Sequence, residues 1–260
     1  YTWPRALAGV AQLALQRLDI LLVASLLGFA EAAVYTVATR FVTLGQLATG
    51  AIGTAAQPRL ATCMGRGDYA TARALYQTTT AWIVLATWPL FLTTAVAAPF
   101  YLGLFGPEYT GDDAVAVVWV LAAGMVLSSG CGVVDMVLSM AGRTSWQLYN
   151  VCAALAVNVT IDLLLIPRWG ILGAAIGWTA ALAVNNLIPL CQLAFTFGLH
   201  PFGRSTTRAM ALAAACFVVP PLAGESFGST ALVVSVMAAV GCYLATAWRF
   251  RATLIRPATT

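Results

Sequence analysis

Five ionisable side chains lie within long apolar stretches of the sequence, where each costs on the order of 3 kcal/mol unless it faces a cavity or a partner. They are Arg17, Asp19, Arg40, Asp135 and Asp162. Carboxylates in such positions suit a cation, whereas guanidinium groups suit phosphate oxygens, to which they donate paired hydrogen bonds. The sequence therefore offers two kinds of binding chemistry inside apolar segments.

One apolar segment carries a polar stripe along nearly its full length. At about 100° per residue, one helical face holds Thr36, Thr39, Arg40, Thr43, Gln46, Gly50 and Thr54. Such a stripe predicts the lining of an aqueous cavity, with Arg40 about 12 Å from the outer end of the helix. Arg40 is then either an anion-binding residue or a buried charge paired with a carboxylate.

A later segment repeats this pattern with smaller residues. One face of it holds Gly124, Ser128, Cys131, Gly132, Asp135 and Ser139. Small residues also allow helices to pack closely in a membrane. Asp135 is therefore interpreted in two ways, as a cavity-lining residue or as a structural hydrogen-bonding group.

Four oxygen-bearing residues from distant segments are predicted to lie at one depth. Asp19, Asn158, Asp162 and Thr179 all fall in the outer half of the membrane, and Asn158 and Asp162 are one helical turn apart. Carboxylate, amide and hydroxyl oxygens are hard ligands of the kind that small cations prefer. The sequence predicts a cation site here, with polar contact between helices as the alternative.

The composition requires a membrane environment for these groups. Hydrophobic residues make up 61% of the chain, charged residues 8%, and the mean hydropathy is +0.87. Such a chain has too few polar side chains to cover a soluble globule. Its long unbroken apolar runs favour helices over a β-barrel, in which polar and apolar residues would alternate. The predicted fold class is an all-α, polytopic transmembrane bundle.

About eight segments approach the length needed to cross a bilayer. They are Ala6–Leu27, Ala32–Ala56, Tyr76–Ala98, Ala114–Met140, Trp146–Ile166, Ile171–Phe197, Ala209–Leu222 and Ser229–Trp248. The connection from Pro58 to Arg73 is long enough for a short interfacial helix. Because the chain begins at Tyr1 rather than Met, we expect it to be part of a longer protein that lacks its N-terminal half here.

The arginines predict the orientation. All thirteen basic residues are Arg, and a cytoplasmic N-terminus places nearly all those outside the spans on the inner side, with Arg168 outside. Both termini are then cytoplasmic. The net charge of +4 is explained by these residues, so nucleic acid is not a predicted partner. Scattered cysteines and a lone His200 give no motif for a structural metal or cofactor.

Several short motifs resemble the polysaccharide and oligosaccharide flippases of the multidrug/oligosaccharidyl-lipid/polysaccharide exporter superfamily. The motifs are Arg17-Leu18-Asp19, the stretch Ala32 to Arg40, Gln57-Pro58, Met140-Ala141-Gly142-Arg143 and the stretch Ile166 to Ala175. The likeness covers essentially the whole chain, and the order and spacing of the motifs carry it.

The resemblance implies an architecture of two six-helix lobes, often followed by two extra helices. Residues 1–198 would be the C-terminal lobe and 199–260 the extra pair, with the N-terminal lobe absent from this chain. Relatives hold a sodium ion in this lobe, and the matching positions are Asp19, Asn158, Asp162 and Thr179, with the carbonyl of Ala175 completing the set. Apart from this sodium ion, no cofactor is implied.

The resemblance also implies a function. The chain would flip a polyprenyl-pyrophosphate-linked glycan across a bacterial inner membrane by alternating access, without being an enzyme. The predicted substrate-binding residues are Arg40, Arg17, Thr36, Thr43, Gln46 and Asp135. We expect a monomer, with glycan-assembly enzymes as partners. A cation-coupled drug or metabolite antiporter of the same superfamily is the alternative, followed by a membrane-embedded glycosyltransferase or polymerase.

Overall fold

The computed structural model describes residues 2–217 together with 241, 243 and 245, with side chains from Leu7 onward. All regular structure in this part of the chain is helical. Five of its helical segments are long and apolar enough to cross a membrane: Leu7–Leu26, Tyr69–Val96, Asp112–Met140, Thr144–Trp169 and Ile171–Phe197. The third of these segments is interrupted at Gly132. The predicted all-α, polytopic fold class is confirmed. Most of the predicted span Ser229–Trp248, and the end of Ala209–Leu222, lie outside the described residues.

The helices follow one another with short connections. They are α1 (Thr2–Leu26), α2 (Phe29–Ala38), α3 (Arg40–Gly65), α4 (Tyr69–Val96), α5 (Ala98–Gly103), α6 (Asp112–Cys131), α7 (Val134–Met140), α8 (Thr144–Trp169), α9 (Ile171–Phe197) and α10 (Arg204–Phe217). A single 3-10 turn, Pro107–Tyr109, separates α5 from α6. The bounds of α9 are those that the sequence predicts.

The prediction of a separate interfacial helix between Pro58 and Arg73 is wrong. Helix α3 continues through Pro58 to Gly65, and α4 begins at Tyr69 after a tight turn in which Gly67 has a φ of 71°. Asp68 ends the turn by accepting a hydrogen bond from the Thr71 backbone N–H at 3.1 Å. Hydrogen bonds from Thr71 lower the pKa of Asp68 below its usual value. An N-cap carboxylate thus starts α4 well before the first predicted apolar residue.

Two predicted spans are interrupted, and side chains satisfy the backbone at each interruption. Thr39 separates α2 from α3, and the Tyr101 hydroxyl donates to the Val37 carbonyl beside it at 2.8 Å. Gly132, with a φ of 73°, separates α6 from α7, and the Tyr76 hydroxyl donates to the carbonyl of Cys131. Buried carbonyls in a membrane protein need such partners because lipid supplies none.

The long helices pack in a row. Helix α8 lies between α1 and α9, α9 also packs against α6, and α6 contacts α4, which in turn contacts α3 and α10. The largest cluster of buried apolar residues has most of its members on α2, α6 and α9 and the others on α1, α3, α4, α5 and α8; Val23, Tyr35 and Leu121 are at 1% exposure or less. Helix α2 packs against α1 and α6, at the end of the row where α1 meets α8.

The close packing of α8 on α9 depends on Gly173. A Cβ at this position would lie 2.5 Å from the backbone carbonyl carbon of Leu165, and backbone atoms cannot rotate away. We therefore expect Gly173→Ala to lower the free energy of unfolding by roughly 1–3 kcal/mol. Thermal unfolding in detergent measures this as a drop of several degrees. Gly50→Ala, where a Cβ meets no atom within 4 Å, is the control and should change stability little.

Candidate cation site and exposed arginines

Helices α1 and α8 contribute two acids and an amide to a buried polar cluster. Asp19 comes from α1 and is 3% exposed, while Asn158 and Asp162 come from α8 and are 0% exposed. The two α8 residues are four apart, so they share one face of the helix. The Asp19 and Asp162 carboxyl groups lie close enough to interact directly. The structure therefore brings together three of the predicted cation ligands.

Helix α9 closes the cluster from another side. A Cβ at Gly177 would overlap the Oδ1 atom of Asp162 and lie 3.4 Å from the backbone oxygen of Asn158. Because Gly177 has no side chain, the Asp162 carboxylate can occupy the space beside it. Together with Gly173, one turn earlier, Gly177 forms the small-residue face on which α8 packs.

The hydrogen bonds within the cluster leave three oxygens without a partner. Tyr35 donates its hydroxyl to Asp19 Oδ2 at 3.4 Å, and Asn158 donates its amide to Asp162 Oδ2 at 3.2 Å. The Oδ1 atoms of Asp19, Asn158 and Asp162 are buried and accept no hydrogen bond within the described chain. An unsatisfied buried acceptor costs about 1–3 kcal/mol. Three such oxygens from two acids and an amide fit a hard cation.

The two α9 positions in the predicted cation set have other surroundings. The Thr179 hydroxyl donates to the Val120 carbonyl on α6 at 3.3 Å, and its side chain lies against Gly124. Ala175 is fully buried in the largest apolar cluster. Thr179 makes no hydrogen bond to either carboxylate among the described contacts. Its role as a ligand, and that of the Ala175 carbonyl, stay predictions.

Tyr35 belongs to the cluster although the sequence analysis did not single it out. Its ring is 1% exposed, and its hydroxyl is the one donor that reaches Asp19 from α2. The sequence feature that could have identified Tyr35 is a tyrosine within the short apolar segment that directly follows α1. A buried tyrosine hydroxyl needs a polar partner, and Asp19 is the carboxylate nearest in the preceding helix.

Both arginines predicted to bind substrate are exposed. Arg17 lies on the opposite side of α1 from buried Asp19, as the helical period predicts, and Arg40 is the first residue of α3. Within the described part of the chain, no ion pair joins either arginine to a carboxylate. Among the described residues, Arg40 is therefore neither buried nor paired with a carboxylate.

The remaining predicted substrate residues divide between two places. Thr43 is exposed and Gln46 half-buried on α3, while half-buried Thr36 on α2 donates its hydroxyl to the Ala32 carbonyl at 2.7 Å. Asp135 lies elsewhere, on α7. Because Thr39 interrupts the helix, the predicted stripe is shared between α2 and α3 rather than running along one helix.

Asp135 is part of a second polar network between α6, α7, α8 and α9. Asn185 donates to Asp135 Oδ2 at 3.5 Å. The other contacts are Ser128 with Asn186 at 3.3 Å, Ser139 with Gln147 at 2.7 Å, and Asn150 with Gln192 at 2.8 and 3.0 Å. The two amides of the last pair exchange donors and acceptors reciprocally. The sequence analysis identified Ser128, Asp135 and Ser139 but not their separate amide partners, which are Asn186, Asn185 and Gln147.

Apolar helices that enclose acid and amide side chains define a multi-pass membrane protein with a buried polar site. The family model MatE matches residues 4–164, and the chain belongs to the MatE family. Members of this family, in the multidrug/oligosaccharidyl-lipid/polysaccharide superfamily, are membrane transporters rather than enzymes. No curated protein and no solved structure shows significant similarity to the chain. The match ends within α8, so α9 with Gly173 and Gly177 lies beyond it.

Proposed function

We propose that this transporter flips a polyprenyl-pyrophosphate-linked oligosaccharide or polysaccharide repeat unit across the membrane. The observation that carries the proposal is the pair of exposed arginines, Arg17 and Arg40, without carboxylate partners among the described residues. A guanidinium group recognises phosphate oxygens through charge-assisted hydrogen bonds. Thr36, Thr43 and Gln46 lie near Arg40 in the sequence of α2 and α3 and would add polar contacts to the same headgroup.

The buried cluster supplies a coupling site in this proposal. Asp19, Asn158 and Asp162 would hold a sodium ion, with Thr179 and the carbonyl of Ala175 as further ligands. The ion would supply a positive charge that stabilises two neighbouring carboxylates in a water-poor interior. It can drive transport only if its affinity differs between inward-open and outward-open states. The site joins α1 and α8, two helices whose relative movement would change it.

The proposed setting is the bacterial inner membrane, with both termini of this chain in the cytoplasm. The chain would form the C-terminal lobe, residues 1–198, and two additional helices, residues 199–260, of a monomeric two-lobe transporter. Glycan-assembly enzymes are the proposed partners, since they deliver the lipid-linked unit on the cytoplasmic side.

A cation-coupled antiporter of drugs or metabolites is the second candidate. The buried pair of Asp19 and Asp162 is as compatible with an antiporter as with the flippase, because carboxylates within the membrane serve cation coupling whatever the substrate. The two candidates differ in the charge of the substrate. An antiporter of cationic drugs would need acidic residues where Arg17 and Arg40 lie exposed.

Transport by the purified full-length protein in proteoliposomes tests the proposal. We expect the protein to move a fluorescent polyprenyl-pyrophosphate oligosaccharide from one leaflet of the proteoliposome to the other. We expect no uptake of a lipophilic cation such as ethidium. Empty liposomes measure spontaneous flipping. Uptake of ethidium without movement of the lipid-linked sugar would support the antiporter instead.

A further inference from the structure

An open groove of about 830 Å³ lies between the second half of α3 and the first half of α4. Its walls run from Ile52 to Cys63 on α3 and from Thr71 to Trp82 on α4. Neither the buried acids nor Arg17 and Arg40 line it. Its volume is in the range of sites that hold small molecules.

The walls of the groove are more apolar than their composition suggests. Thr62, Thr78 and Thr79 each donate their hydroxyl to the carbonyl four residues earlier in their own helix, at 2.8–2.9 Å. These hydroxyls are therefore satisfied by the backbone. The other walls are mostly aliphatic, with the indole of Trp82 at one end. Such a surface suits a hydrocarbon chain.

One end of the groove is positively charged. Arg59 lines it, and exposed Arg66 lies on the turn that joins α3 to α4. Exposed Arg73 follows the turn, with its guanidinium group against Gly198. The one acidic residue of this turn, Asp68, accepts the Thr71 backbone N–H and caps α4. Clustered arginines at a membrane surface attract anionic lipids.

The length of the groove matches one leaflet. From Ile52 to Cys63 the helix rises about 16 Å at roughly 1.5 Å per residue. The hydrocarbon core of a bilayer is about 30 Å thick, so the length of the groove is close to the thickness of one leaflet's hydrocarbon. An acyl chain from the leaflet beside the arginines therefore fits lengthwise, whereas a polyprenyl chain is much longer than the groove.

We infer that this groove binds one acyl chain of an anionic phospholipid, whose phosphate contacts Arg59. The lipid belongs to the leaflet at the end where α3 joins α4. This site is separate from the proposed substrate and cation sites, and it does not depend on the proposed function.

Native mass spectrometry of the full-length protein in detergent, with added phosphatidylglycerol or phosphatidylcholine, tests the site. We expect the wild type to bind phosphatidylglycerol more tightly and Arg59→Gln to weaken that binding about tenfold, to the level of phosphatidylcholine. Arg66→Gln removes a nearby charge that does not line the groove and should have a smaller effect.

A second pair of variants tests the apolar part of the groove. Ala55 is exposed and lines it, so Ala55→Trp should reduce the binding of both lipids, whereas Ala61→Trp, exposed on the same helix outside the groove, should not. Retention of monodisperse protein verifies folding. Equal binding of the two lipids by the wild type, binding unchanged in both Arg59→Gln and Ala55→Trp, or displacement of phosphatidylglycerol by polyprenyl phosphate would overturn the assignment.

Discussion

Replacing Asp162 by Asn is expected to raise the sodium concentration needed for half-maximal transport by at least about tenfold. The Asp162 side chain is fully buried, and its Oδ1 atom has no hydrogen-bond partner within the described chain. Asn preserves the shape of the side chain and removes its negative charge, so the attraction for a cation falls while the packing is kept. Binding of the lipid-linked substrate should change much less.

The same variant can be measured without transport. A cation that binds only the folded protein stabilises it by mass action, by about 2.7 kcal/mol at a concentration of 100 times its dissociation constant. Sodium chloride should therefore raise the unfolding temperature of the wild type above that in potassium chloride, and this difference should vanish in Asp162→Asn. Asp113→Asn makes the same chemical change at an exposed residue of α6 and is the control. If neither the transport rate nor the unfolding temperature of the wild type depends on sodium, the cluster is only a structural contact between helices.

A substitution at Gly177 tests the cation site by steric displacement, without changing its charge. A Cβ there would overlap Asp162 Oδ1, so Gly177→Ala should displace the carboxylate while retaining both acids. We expect Gly177→Ala to lose the difference in unfolding temperature between sodium chloride and potassium chloride, as Asp162→Asn does. Gly50→Ala again serves as the control, since its Cβ would meet open space.

Helical periodicity and depth were enough to predict the meeting of Asp19, Asn158 and Asp162. A buried carboxylate has few stable environments in lipid, so acids at one depth on different helices tend to share a site. Tyr35 could not be found in this way because its partner is decided by the angle at which α2 returns against α1. That angle depends on the turn at Gly28, where φ is 100°.

The interruptions of the predicted spans were also hidden from the sequence. Hydropathy averaged over a window does not distinguish a continuous span from a broken one, because both predicted spans remain apolar on average, although Arg40 directly follows Thr39. At each break a distant tyrosine satisfies a carbonyl: Tyr101 at Val37 and Tyr76 at Cys131. Such contacts, between residues 55 and 64 positions apart, are tertiary information.

Arg40→Ala in the full-length protein is expected to reduce flipping of the lipid-linked glycan by roughly 10- to 100-fold, which corresponds to the loss of one or two charge-assisted hydrogen bonds. Arg40 is exposed and lies where α3 begins, with no carboxylate paired to it among the described residues. Its removal should therefore leave the unfolding temperature nearly unchanged. Arg40→Lys keeps the charge but loses the planar fork that matches phosphate, so it should recover only part of the rate.

The control for Arg40 is Arg168→Ala, an exposed arginine in the last turn of α8 that no proposed site includes. Its flipping rate should remain within about twofold of the wild type, since isolated surface charges contribute little. Sodium-dependent stabilisation should persist in Arg40→Ala, because the buried acids are intact, and this separates substrate binding from ion binding. Normal glycan export by Arg40→Ala, or an equal loss in Arg168→Ala, would show that Arg40 does not hold the pyrophosphate.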